Sequence, residues 1–175
     1  MAKQQTMNDN TGTHTRPVLG RPRALDTILY GGLAAALGDF LFAVIFYGVI
    51  LGVKQLRIFQ GVASGLLGRA AFDGGIATYS LGLLLHIVVG ICIATVFYLV
   101  SSKWTALLKR PVVAGLIYGM IAYLGMNYIV IPLSAARSGR FHLSYFLIEI
   151  IGHALLVGLP IALIARKSAI KHGST

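Results

Sequence analysis

Residues 75–100 read GIATYSLGLLLHIVVGICIATVFYLV, and His86 is their only acidic or basic side chain. A helix needs roughly 20 mostly apolar residues to cross a hydrocarbon core about 30 Å thick, and this stretch is long enough. Three further stretches repeat the pattern at about 25–51, 111–131 and 143–165. Four spans with short connections fill the 175 residues and leave no length for a second domain. The expected fold is an all-α integral membrane protein with four transmembrane helices in one bundle.

Composition agrees. Hydrophobic residues make up 57% of the chain and charged residues 11%, against about 25% charged in soluble domains. Mean hydropathy is +0.80. The formal net charge of +10 comes from short basic clusters between apolar runs, a pattern that fits membrane topology and not a nucleic-acid surface. The single cysteine, Cys92, lies within an apolar run, which excludes an intrachain disulfide and suggests a small core residue.

Local signals set the boundaries. Residues 1–23 contain no apolar run able to form a core and read as a disordered tail, not a cleaved leader. Asp26 is placed to cap the first span, and Tyr30 and Tyr47 near its ends suit the two interfaces. Pro111 suits the first turn of the third span, Pro132 stops it, and Pro160 is expected to kink the fourth. Residues 168–175 read as a second tail.

The segment after the first span, about 54–72, differs from the spans. Leu56, Phe59, Ala63, Leu66, Leu67 and Ala70 recur at helical spacing opposite Lys54, Arg57, Gln60 and Ser64. This pattern predicts an amphipathic helix lying on the membrane or dipping into its outer leaflet.

With the N-terminus inside, cytoplasmic segments hold Lys3, Arg16, Arg21, Arg23, Lys103, Lys109, Arg110, Arg166, Lys167 and Lys171, ten in all. The other side holds five: Lys54, Arg57, Arg69, Arg137 and Arg140. The excess places both termini in the cytoplasm under the positive-inside rule. Glycines four apart, Gly48 with Gly52, Gly61 with Gly65 and Gly115 with Gly119, are expected to let helices approach closely. They suit contacts within one bundle better than a homo-oligomer interface.

Ionisable or strongly polar groups within the spans are Asp39, His86, Asn127, Glu149 and His153. Each costs several kcal/mol at the bilayer centre without a partner. Asp39, His86 and His153 fall about 14–18 Å into their spans, near the midplane, at a rise of about 1.5 Å per residue. Glu149 and His153, four apart, share a helix face, with Asn127 near the depth of Glu149. The expectation is a polar column running from the outer half to the middle.

Such a column either holds the helices together through hydrogen bonds or binds a proton or small polar solute from the outer side. His86, Glu149 and His153 are weaker candidates for metal ligands, because a glutamate four residues before one histidine lacks the second helical histidine of a zincin pair. Ser64, Ser80 and Ser134 lack a recognisable base, so no enzyme activity and no cofactor are expected. An accessory subunit of a larger membrane complex is the alternative.

From His86 onward, about half the chain, the sequence resembles the YagU-like bacterial inner-membrane proteins. The likeness rests on His86 early in an apolar run, Pro132-Leu133 at the exit of the third span, and Glu149-Ile150-Ile151-Gly152-His153. It implies a four-span layout and an inner-membrane location, brings no biochemical activity, and does not extend to Asp39.

Overall fold

A computed structural model of the chain describes residues 18–137 and 141–171. Residues 1–17 and 172–175 of the expected tails, and Arg140, lie outside the described residues. Four helices are long and apolar enough to cross a membrane: α1 (Asp26–Ile50), α3 (Gly75–Lys103), α4 (Pro111–Leu133) and α5 (Leu143–Ala169). Between the first two lies α2 (Gln55–Leu67). The protein is an all-α membrane bundle.

An even number of spans puts both chain ends on one face, here called the terminal face, with α2 on the opposite, loop face. α1 packs between α3 and α5, and α5 packs on α4, while α3 and α4 stand further apart. Tyr118 of α4 bridges that wider gap, donating its hydroxyl to the Ile93 carbonyl of α3 at 2.6 Å.

Glycine explains the close seams. A Cβ on Gly115 of α4 would stand 2.8 Å from the Gly158 carbonyl oxygen and 2.8 Å from Leu159 Cα of α5. One on Gly119 would stand 2.6 Å from Ala154 Cα. Backbones this near leave no space for a side chain, so both glycines serve contacts within one bundle, as their spacing suggests. Gly48 and Gly52 do not form such a seam. Gly48 meets the Gln55 side chain at the start of α2, and Gly52 takes φ +68° in the turn after α1 with nothing near it. A left-handed backbone that reverses the chain needs glycine for a different reason.

The spans are not uniform α-helix. α1 contains π-helical turns at Asp26–Tyr30 and Val44–Ile50, α4 one at Met126–Val130 and α5 one at Ala154–Gly158. In α4 and α5 the π turn ends two residues before a proline, Pro132 and Pro160. Proline has no N–H for the carbonyl four residues back, and a five-residue register just upstream absorbs the defect. α4 ends at Leu133, one residue past Pro132, whereas α5 passes Pro160 and continues to Ala169.

Several local expectations change. Asp26 makes no cap and instead pairs with Arg23 at 3.4 Å. Cys92 is exposed on the bundle exterior, where lipid lies, not in the core. Residues 18–23, expected in a disordered tail, are tied to the end of α5. Val18–Leu19 pairs antiparallel with Ile170–Lys171, and the Gly20 N–H donates to the Ala169 carbonyl at 2.9 Å. Ile170 leaves the helix in an extended conformation and offers a free backbone edge.

The amphipathic helix buries part of its polar face together with part of its apolar face. Its buried residues are Phe59, Gln60, Ala63 and Ser64, whereas Leu56, Leu66 and Leu67 are exposed. Gln60 turns inward and donates to the Gly75 carbonyl at 3.1 Å and to Thr78 Oγ1 at 3.3 Å, and Ser64 donates to the Gly61 carbonyl. The backbone of α2 at Phe59 and Ala63 lies against Gly82 of α3, which has no side chain, about 10 Å along that helix from Gly75. α2 is thus a roof over the bundle interior.

Candidate functional site

Three ionisable side chains from three spans meet in the interior. Asp39 Oδ1 lies 3.6 Å from His153 Nε2, and Asp39 Oδ2 lies 3.9 Å from His86 Nδ1. α1, α3 and α5 each place their group about 15–16 Å from their loop-face ends, so equal depth on packed helices brings them together. Their side chains retain 23%, 12% and 17% of their accessible surface for Asp39, His86 and His153 respectively, so the cluster is partly rather than fully enclosed. They line a cavity of about 160 Å³, whose other walls are apolar and include Val62 of the α2 roof.

The far nitrogen of each imidazole is already engaged. His86 Nε2 is 2.9 Å from the Ala36 carbonyl oxygen, and His153 Nδ1 is 3.0 Å from the Glu149 carbonyl oxygen. A carbonyl only accepts, so each of these nitrogens carries the ring's hydrogen. In neutral imidazoles the nitrogens facing Asp39 are then bare lone pairs. An ionised Asp39 between them faces two acceptors with no donor, an arrangement that one added proton converts into an attraction. The separations of 3.6 and 3.9 Å exceed the usual hydrogen-bond length and leave room for an inserted donor.

Glu149 forms a second, adjoining centre nearer the loop face. Tyr47 donates its hydroxyl to Glu149 Oε1, and Tyr123 donates to Oε2 at 2.7 Å. Two phenols hold the carboxylate in place, and the Tyr123 ring lies 5.1 Å from the His153 ring. Phe59 of α2 stands edge-on to His86 at 5.6 Å.

Of the expected residues, Asp39, His86 and His153 converge, Glu149 stands beside them, and Asn127 joins neither centre. Asn127 donates its side-chain amide to the Tyr123 carbonyl four residues back, on its own helix. Among the described residues no three His, Cys, Asp or Glu side chains are placed to hold a metal ion.

The two tyrosines were not legible as site residues. Tyr47 reads as an interface aromatic because it lies near the end of its span, and in a regular helix it stands about 80° around the axis from Asp39. The π turn over Val44–Ile50 takes an extra residue into the turn and swings it back toward Asp39's face. Tyr123 did carry a signal. It follows Gly115 and Gly119 at four-residue spacing, on the seam against α5.

The terminal half of the bundle is filled differently. Phe97, Leu108, Ile161, Ala162 and Ala165 form a buried apolar core, and the buried polar residues on that side are Thr27 and Ser101. Comparison with known proteins adds no further assignment: no protein-family model, no curated protein and no solved structure matches this chain.

Proposed function

We propose that the protein is a proton-binding, non-enzymatic membrane protein whose site is Asp39 with His86 and His153, reached from the loop face. A single observation carries this reading. Both imidazoles spend their N–H on backbone carbonyls, so the acceptor-only centre around Asp39 is completed by an added proton. Glu149 and its two tyrosines occupy the loop-face side of the site, while apolar packing fills the terminal side, which supports access from the loop face alone. The same reading places the protein in a bacterial inner membrane with cytoplasmic termini, consistent with the charge count and with the likeness of residues 149–153 to YagU-like proteins.

The test is nitrogen-15 NMR of histidine-labelled protein in lipid nanodiscs, paired with infrared detection of protonated carboxyl groups. Expected across a pH series from about 5 to 8 are a His153 ring held with its hydrogen on Nδ1 and a signal from one added proton at the Asp39, His86 and His153 cluster. Asp39→Asn should remove that proton. Two neutral rings beside an ionised Asp39 throughout the range would refute the reading. A purely structural core predicts a uniform loss of stability in Asp39→Asn with no change in any pH-dependent signal.

A further inference from the structure

The unprotonated site has an unusual inventory of hydrogen-bonding groups. His86 Nδ1, His153 Nε2 and the Asp39 carboxylate are three acceptor groups facing a common space, with one negative charge and no donor. A proton satisfies only part of such a set. A primary ammonium ion matches it better, because it carries one positive charge and presents three N–H donors with no acceptor.

Size and lining agree. A nitrogen about 2.9 Å from each member of an acceptor pair is geometrically possible at separations of 3.6 and 3.9 Å. The cavity of about 160 Å³ is room for about five water-sized groups at about 30 Å³ each. The remaining wall, which includes Ala36, Val62, Val89, Ile93, Met126 and Val157, is apolar, and it suits a short alkyl body. We infer that the Asp39, His86 and His153 cavity binds small primary ammonium ions, in competition with the proton.

This inference rests on the tautomer reading above, since an imidazole presenting N–H to the cavity would repel the ligand. The titratable groups at or beside the cavity are Asp39, His86, His153, Glu149, Tyr47 and Tyr123, whereas α2 contributes Phe59 and Val62, neither of which titrates. Proton and ammonium ion claim the same lone pairs. Apparent affinity should therefore fall about tenfold for each unit by which pH is lowered wherever the unliganded site holds one proton, and ligand binding should release that proton.

The experiment uses the full chain in nanodiscs, with methylammonium chloride as probe, read by histidine nitrogen-15 shifts and by proton release into a weakly buffered indicator dye. Tetramethylammonium chloride, which has no N–H, and potassium chloride serve as matched cations. Methylammonium alone should shift His86 and His153 and release protons. Asp39→Asn should weaken the response at least tenfold. Val62→Phe, which fills the cavity from α2, should also lower it at least tenfold.

Equal responses to methylammonium, tetramethylammonium and potassium would overturn recognition of the ammonium group. No response to methylammonium in a protein whose histidine signals still report the bound proton would overturn this inference and leave the proton site standing. Loss of the proton signals in the unmodified protein would remove both.

Discussion

Glu149 shows how a few polar contacts decide whether an intramembrane charge is tolerable. Its carboxylate sits about 9 Å inside α5, measured from Leu143, where an unpartnered charge costs several kcal/mol. Tyr47 and Tyr123 each bring it a hydroxyl from another helix. Tyr123→Phe removes one donor and leaves Oε2 unsatisfied, a loss of about 1–3 kcal/mol. We expect a lowered melting temperature in detergent, and Glu149→Gln combined with Tyr123→Phe should destabilise less than the two changes added. An additive double variant would show that the bond does not operate. His153 acts twice, offering one nitrogen to Asp39 and the other to the Glu149 carbonyl, so its ring orientation couples the two centres.

At the scale of elements, glycine positions and π turns govern what meets what. Gly119→Ala would place a methyl group 2.6 Å from Ala154 Cα, immediately after His153. Overpacking of this kind costs about 1–3 kcal/mol and should push α5 away from α4. Gly61→Ala is the matched control, since nothing lies within 4 Å of its added Cβ and a helical glycine is about 0.5–1 kcal/mol worse than alanine. Thermal unfolding of the two variants should therefore move in opposite directions. α2 is held by hydrogen bonds as well as by packing. Gln60→Leu deletes the bonds to Gly75 and Thr78, and hydrogen exchange across α2 should accelerate while α3 to α5 stay protected. Unchanged exchange would mean that Phe59 and Ala63 alone anchor the roof.

For the molecule as a whole, the two halves of the bundle have separate roles. The terminal half is a small-residue apolar core closed by the pairing of Val18–Leu19 with Ile170–Lys171, and the loop half carries the ionisable groups beneath α2. The proposed orientation can be read with membrane-impermeant maleimide on intact cells, in a Cys92→Ala background. A cysteine replacing Arg69 should label, and cysteines replacing Lys103 or Lys167 should label only after the membrane is opened. The reverse pattern would invert the topology and put the entrance of the proposed proton site on the cytoplasmic side.

The sequence by itself determined the four spans, because runs of more than 20 apolar residues have no other way to hide their surface, and backbone satisfaction in lipid demands helices. It also determined that Asp39, His86 and His153 share a depth, since rise per residue needs no partner helix. The within-bundle seam at Gly115 and Gly119 was legible for the same kind of reason: four-residue spacing sets one helix face.

Only the tertiary structure decided which polar groups touch. Asn127 has the right depth but turns to its own backbone, while Tyr47 and Tyr123 supply the contacts to Glu149. It alone decided that α2 buries Gln60 and Ser64 and roofs the cavity. Helical spacing assumes a constant register, and π turns at Val44–Ile50, Met126–Val130 and Ala154–Gly158 break that register beside the site. Past each break, the face a residue presents depends on packing and not on count.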